Sequence, residues 1–291
     1  MAGASIALSK AKADGRARHA IYDPASRDQI VSSQQLETDL HQAIERKQLS
    51  LNFQPIVSLE TGHIVGMETL IRWRHPMEGM IPPDRFIRLA EEVGLIVPIT
   101  RWVLREACQQ ASTWRSQFPK GPDFYLSVNL SGQDLRQPDL CDFVDEILKE
   151  TKLPAGVLRL EVTESFMIGN VNAASDLVAR LHGMGIPLLL DDFGTGYSSL
   201  SYLHRFKFDY LKIDRAFVSR ITPAGQNTGI LRAIVHLAQD LGIKTIAEGV
   251  ETLENVEQLR GLGCDFGQGY YFSKPLEPGL AEKLLLSDTK W

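Results

Sequence analysis

From about residue 50 to its end, the chain alternates between short strand-like runs and longer segments with helical spacing. That alternation predicts a parallel sheet with helices outside it, because a crossover between parallel strands needs a dozen or more residues, usually a helix. The first two strand-like runs, 51–57 and 63–73, are the exception. Only a turn at Glu60-Thr61-Gly62 separates them, so they are expected to pair antiparallel. A helix over 85–94 follows, with Phe86, Leu89, Ala90 and Val93 at helical spacing, then a longer helix over 99–118 and a strand over 124–130. Leu140, Phe143, Val144, Ile147 and Leu148 mark the next helix face. A strand at 157–162, a helix at 172–184 and a continuously apolar strand at 186–190 come next, the last of the kind buried on both faces. The series closes with strands at 209–213, 245–247 and 266–271 and helices at 230–241, 253–262 and from Pro278. Eight strands over roughly 240 residues predict an α/β fold, a TIM-like (β/α)8 barrel, with an open doubly wound sheet as the competing architecture.

Size and charge narrow the function classes. The chain has 291 residues, 44% of them hydrophobic and 23% charged, enough to bury one large core. A net charge of −5 and a pI near 5.8 remove the bulk electrostatic basis for DNA binding. Cys108, Cys141 and Cys264 are odd in number, far apart and without CxxC spacing. That argues against a disulfide framework or a thiolate zinc site and fits a reducing cytoplasm. The apolar runs are too short to span a bilayer, and residues 1–20 lack the apolar stretch of a signal peptide. A soluble cytoplasmic protein without a membrane segment is expected.

The functional signal is where the polar residues fall. Reading each strand to its C-terminal end gives Glu68 (METL), Asn129 (SVNLS), Glu161 (LEVTE), and Asp191 with Asp192 (LLLDDFG). The later strands give Lys212 (YLKID), Glu248 (IAEGVE) and Gln268 (FGQGY). A barrel gathers these ends on one face, where active sites of the fold sit. Singly, such a carboxylate is most often solvated or caps a helix. As a set they repel unless something neutralises them. Glu68, Glu161, Asp191, Asp192 and Glu248 bring five negative charges, and Lys212 offsets one. Arg72, four residues after Glu68 and on the same strand face, is a candidate second positive charge. The remaining deficit calls for cations, and two divalent ions bring it close to neutrality. All-oxygen ligands, with an Asn amide and no His or Cys, suit Mg²⁺ or Mn²⁺ rather than zinc. The adjacent Asp191-Asp192 pair suits two ions, and two metals about 3.5–4 Å apart are the usual device for in-line phosphoester displacement. The residues thus point to a metal-dependent phosphodiesterase.

Other motifs are less specific. The stretch 193–200 (FGTGYSSL) is neither G-x-G-x-x-G nor a P-loop. A turn before a helix capped by Ser198 or Ser199, a phosphate contact and a mobile active-site loop stand as alternatives for it. No two of the seven histidines sit at H-x-x-x-H spacing, and all are read as surface or structural. Tyr270-Tyr271-Phe272 reads as core and rim packing, with base stacking left open.

The stretches QPIVSLETGHIVGMETLIRWRHP, SVNLS, LEVTES, DDFGTGYSSLSYL, DYLKIDRAFV, IAEGVET and GQGYYFSKP cover residues 50–278 nearly end to end. In that order they resemble the EAL-domain phosphodiesterases, which hydrolyse cyclic di-GMP to linear 5′-pGpG. The resemblance implies a TIM-like barrel whose first strand is antiparallel. It implies Glu68, Asn129, Glu161 and Asp191 at one ion, and Asp191, Asp192 and Glu248 at the other. Lys212 matches the lysine that holds or helps activate the attacking water, which makes Lys212, Glu248 and Glu68 the catalytic set. Gln54, Arg72, Gln268 and Glu251 match substrate-contacting positions. Glu164 and the loop 193–200 match a glutamate and a loop whose ordering affects activity and dimerisation, so a homodimer is implied as an option. One departure is visible: the signature triplet reads Glu68-Thr69-Leu70, with Thr in place of Ala. By strand alternation Thr69 points away from Glu68, and packing is expected to absorb its hydroxyl.

The N-terminal ASIALSKAKADGRARHAIYDP resembles the last helix and strand of a GGDEF domain, although no GGDEF motif is present. Residues 1–35 are therefore expected to be a linker or remnant of a preceding regulatory domain in a longer bacterial signalling protein, and residues 36–291 the EAL barrel. The competing function is a catalytically silent cyclic di-GMP receptor, which would usually have lost part of the metal and water-activating set. Every member of that set is intact here. A Mg²⁺ barrel with a lysine base acting on carbonyl substrates fits the carboxylates and Lys212 but not the long motif matches.

Overall fold

The computed structural model describes residues 35–117, 124–163, 171–194, 203, 206–220, 229–287 and 289–291. In chain order the elements begin with α1 (35–43), β1 (Leu49–Ser58), β2 (Ile64–His75), β3 (Gly79–Ile81), α2 (Pro83–Glu92) and α3 (Ile96–Gln117). Next come β4 (Tyr125–Leu130), α4 (Leu140–Thr151), β5 (Leu158–Thr163), α5 (Val171–Gly183), β6 (Leu188–Phe193) and β7 (Tyr210–Ile213). The last are α6 (Arg215–Val218), α7 (Gly229–Asp240), β8 (Lys244–Ala247), α8 (Leu253–Gly261), β9 (Phe266–Gly267) and α9 (Pro278–Leu286). The segment expected to be a domain remnant lies outside the described residues except for its last position. The chain divides into two compact units, Met1–Leu49 with Trp73–Leu95 and Ser50–Arg72 with Ile96–Trp291.

The larger unit is a closed barrel. Its strands follow the order β1-β9-β8-β7-β6-β5-β4-β2, and pairing of β1 with β2 completes the ring. From β2 round to β9 the neighbours are parallel. β1 runs antiparallel to β9, with Val57 opposite Gly267 and Ser58 opposite Phe266. Closure sets the open doubly wound sheet aside. The tight turn between β1 and β2, where the Gly62 N–H donates to the Ser58 carbonyl at 2.8 Å, makes the first strand antiparallel.

Ile56, Tyr125, Leu189 and Ile246 pack together with Val65, Tyr210 and Phe266 against them. Because side chains repeat every two residues along a strand, this plug shares a face with residues two positions further on. Arg159 precedes Glu161, Leu189 precedes Asp191, Tyr210 precedes Lys212, Ile246 precedes Glu248 and Phe266 precedes Gln268 in this way. Gly66 leaves room for the plug: a Cβ there would lie 2.4 Å from the ring of Tyr125. The Arg159 guanidinium carbon sits 3.1 Å from the Tyr125 ring centre and 4.0 Å from that of Tyr210. Outside the strands, α3 buries Val103, Leu104, Ala107 and Ala111, and its Trp114 meets Phe53 edge-on at 4.9 Å.

In the smaller unit, α1 buries Leu36, Leu40 and Ala43. The helix ends at residue 43, ahead of Ile44, and Lys47 takes the left-handed region at φ 54°. The end of β2 forms a hairpin with β3, pairing Trp73 with Ile81 and His75 with Gly79. A strand this short carries no periodicity to detect in sequence. The Trp73 indole donates to Gln48 Oε1 at 3.0 Å. His75 Nδ1 accepts from the N–H groups of Met77 and Glu78, so Nε2 carries the proton and donates to Asp39 at 3.2 Å.

Two boundaries alter the reading of strand ends. β2 runs on to His75, which leaves Glu68 in mid-strand rather than at a strand end. β9 stops at Gly267, because residues 269–272 form a turn rather than the continued strand expected to 271.

Candidate active site

Register sets the side chains that meet on the barrel's functional face. Asn129 lies opposite Glu161, Glu68 opposite Ser127, and Thr163 opposite Asp191. Glu248 and Gln268 each follow the last residue of a strand and are still held to the neighbouring one, Glu248 N–H to the Ile213 carbonyl at 3.0 Å and Gln268 N–H to the Ala247 carbonyl at 2.8 Å. Asp192 takes a left-handed φ of 56°, at the irregularity between β6 and β7.

Lys212 is the centre of the cluster and is 1% exposed. Its Nζ lies 2.6 Å from Glu248 Oε1, 2.7 Å from Glu161 Oε2, 3.3 Å from Asp191 Oδ1 and 3.5 Å from Glu68 Oε1. Burial opposes the charge on Lys212, but Asp191, Glu161, Glu248 and Glu68 outweigh it and hold the ammonium well above the usual lysine range. One ammonium does not balance its neighbours. Burial, reinforced by Glu68 and Asp191 against the pull of Lys212, pushes Glu161 up to about 8. Burial likewise pushes Glu248 up to about 7, and burial with Asp191 alongside raises Asp192.

Glu68 is oriented from both sides. Asn129 Nδ2 donates to its Oε1 at 2.9 Å and Gln268 Nε2 to its Oε2 at 2.5 Å. Gln268 Nε2 also reaches Gln54 Oε1 at 3.2 Å, and Gln54 Nε2 donates to the Ser273 carbonyl at 3.0 Å. Gln54 and Gln268, expected at the substrate, are buried and tied into the chain that fixes Glu68. Arg72 was expected to add positive charge to the carboxylates. Its half-buried guanidinium donates to the Ile71 carbonyl at 2.8 Å and lies within electrostatic reach of Tyr270 and Glu68, and burial lowers its pKa. Glu251 is exposed and shares a cavity of about 190 Å³ with Gln54, Glu68, Glu248 and Gln268. Glu164 and positions 195–200 of the loop lie outside the described residues. Thr69 is buried, and its hydroxyl has no hydrogen-bond partner among the described residues, so packing accommodates it without satisfying it.

One cavity side chain, Arg215, was not placed there by the sequence reading, and another, Tyr270, was left between two readings. Arg215 lines the rim from the start of α6, next to Gly249. Its signal was positional, since it follows the end of β7 as Glu251 follows that of β8. Tyr270 was read with its aromatic neighbours as core and rim packing, with base stacking left open, and it lines the cavity 61% exposed.

The donor set fits divalent cations. Every candidate ligand atom is oxygen, and Glu161 Oε1 is buried without a hydrogen-bond partner among the described residues, an acceptor that a cation would satisfy. No three His, Cys, Asp or Glu side chains among the described residues form a finished metal cage. The carboxylates converge on Lys212 instead.

The family model of the EAL domain matches residues 37–275. The chain is 40% identical over 283 residues to the cyclic di-GMP phosphodiesterase NbdA of Pseudomonas aeruginosa, covering 97% of this chain and 36% of that protein. It is also 40% identical over 287 residues to the bifunctional diguanylate cyclase/cyclic di-GMP phosphodiesterase MucR of the same species, covering 99% of this chain and 41% of that one. A solved structure described as the PaMucR phosphodiesterase in complex with c-di-GMP is similar with a TM-score of 0.80 at 42% identity, covering 85% of this chain and 99% of that one. The chain spans 33–41% of the length of the first five curated relatives it matches. No helix among the described residues is long and apolar enough to cross a membrane. With that match spanning most of the barrel, the chain belongs to the EAL domain family.

Proposed function

We propose that the chain hydrolyses cyclic di-GMP to linear 5′-pGpG with two divalent ions, Mg²⁺ or Mn²⁺. The observation that carries this reading is the convergence of Glu68, Glu161, Asp191 and Glu248 on one buried lysine, a charge deficit that two cations relieve. Relatives described as cyclic di-GMP phosphodiesterases support the substrate. Glu68, Asn129, Glu161 and Asp191 would hold one ion, and Asp191, Asp192 and Glu248 the other. Cations bound there supply positive charge to phosphoryl oxygens and acidify water.

The protein's own groups do the rest. Water adds across one P–O3′ bond; the 3′ oxygen departs with a proton, and the phosphate stays on the 5′ side. Lys212 remains an ammonium, so it orients the water as a donor rather than removing its proton. Glu248 lines the cavity and meets Lys212, which places it to accept that proton. Gln268 and Gln54 keep Glu68 aimed, while Arg72 and Glu251 are left to grip phosphate and base. We assign residues 36–291 to this module and residues 1–35 to the remnant of a preceding GGDEF-like domain; the family match, which begins at residue 37, supports the start of the module.

Incubation with cyclic di-GMP and Mg²⁺ or Mn²⁺, with products separated by chromatography, tests the reading. Linear pGpG is expected, and none in excess EDTA. Equal product in EDTA overturns the metal mechanism, and binding without product makes the chain a silent receptor.

A further inference from the structure

We propose that Tyr270 is a stacking platform for one purine base of the substrate, an affinity and positioning element that rests on the phosphodiesterase reading above. Of the aromatic triplet, Phe272 is buried and meets Tyr271 edge-on at 5.3 Å, whereas Tyr270 is 61% exposed. That ring opens on the cavity lined by Glu68, Glu248 and Gln268.

Its backbone is firmly held. A Cβ at Gly269 would lie 2.2 Å from the Val250 carbonyl oxygen, so the turn lies flat on Val250. The Tyr271 N–H donates back to that carbonyl at 2.9 Å, and the Phe272 and Ser273 N–H groups close on the Gly269 carbonyl at 3.1 and 3.2 Å. The ring is therefore presented on a fixed base, which keeps the ordering cost of a contact low. Two cations are near it: Lys274 Nζ lies over one face, 5.5 Å from the ring centre, and the Arg72 guanidinium is within electrostatic reach of the phenol. An open ring beside two cations complements a ligand that carries a base next to a phosphate. Base–aromatic stacking contributes about 1–3 kcal/mol per base, and any base offers a π-face.

The test compares Tyr270→Ala, →Leu, →Phe and →Trp in the full chain. Steady-state hydrolysis of cyclic di-GMP is measured together with the fluorescence of a cyclic dinucleotide bearing 2-aminopurine in place of one guanine, whose emission is quenched by stacking. The Ala and Leu variants are expected to raise KM about tenfold, with kcat within about twofold, and to lose the quenching. Phe and Trp are expected to retain both. Rescue by Leu, or an unchanged KM and quenching in the Ala variant, overturns the platform while the phosphodiesterase reading stands. If the unaltered chain neither binds nor hydrolyses cyclic di-GMP, that reading falls and the platform with it.

Discussion

Lys212 holds together carboxylates that would otherwise drive one another apart, and this makes it a test of what the cluster is for. Removing one partner of a buried charge network typically costs about 3–5 kcal/mol, because the charges left behind are uncompensated. We expect Lys212→Met to lose stability by that order in EDTA at pH 8, and to regain much of it at saturating Mg²⁺ or Mn²⁺. Denaturant unfolding with and without metal checks this; a loss of equal size in both would show that the carboxylates bind no cation. Thr69 gives a prediction of opposite sign. Its buried hydroxyl is unpaired among the described residues, and Thr69→Val removes the hydroxyl while keeping the volume. A gain of about 1 kcal/mol is expected, read as a rise of about 2–4 °C in Tm. At this scale the residues of the site were legible because alternation along strands reveals which side chains share a face. Their partners were not. Nothing in the spacing shows that Gln54 and Gln268 turn back to Glu68, or that Arg72 bonds its own chain, since those contacts depend on rotamers and on strands distant in sequence.

The barrel interior is built in two tiers, an apolar and aromatic plug and, two residues further along β6 to β9, the polar site. The tiers meet closely at Gly66. Adding a methyl group there drives it into Tyr125, whose ring is in turn backed by Arg159. We expect Gly66→Ala to destabilise by about 1–3 kcal/mol, as overpacking of a tight core does. Tyr125→Leu should relieve part of it, so that the double variant is more stable than the sum of the two single losses predicts. Additive losses in denaturant unfolding would mean that the clash is resolved elsewhere. Most elements were legible from periodicity to within a few residues. The misses have physical causes: β3 is too short to show a period, and β9 yields to the turn that packs Gly269 on Val250.

The architecture of the whole was legible because a single hairpin followed by repeated crossovers admits few topologies, and the antiparallel β1 closes the ring instead of leaving an open edge. What the spacing did not show is that a second compact unit forms from two separated stretches of chain. Within it α1 is tied to the β2–β3 hairpin: Gln48, just after the helix, takes the Trp73 indole proton, and Asp39 takes that of His75. These bonds decide where the chain can be shortened. A chain begun at residue 36 keeps both, along with every proposed ligand, and is expected to hydrolyse cyclic di-GMP at the rate of the full chain. A chain begun at residue 51 strands both donors and uncovers the surface that Leu36, Leu40 and Ala43 bury. Each buried group left without its partner costs about 1–3 kcal/mol, so this shorter chain should unfold at clearly lower denaturant concentration. Its site residues all remain, so at low temperature it should still bind Mg²⁺ or Mn²⁺ by calorimetry. Comparing specific activity and unfolding midpoint across the three lengths separates the alternatives. A folded but inactive chain begun at residue 36 would mean that residues 1–35 contribute to catalysis, and their assignment as a remnant would then be wrong.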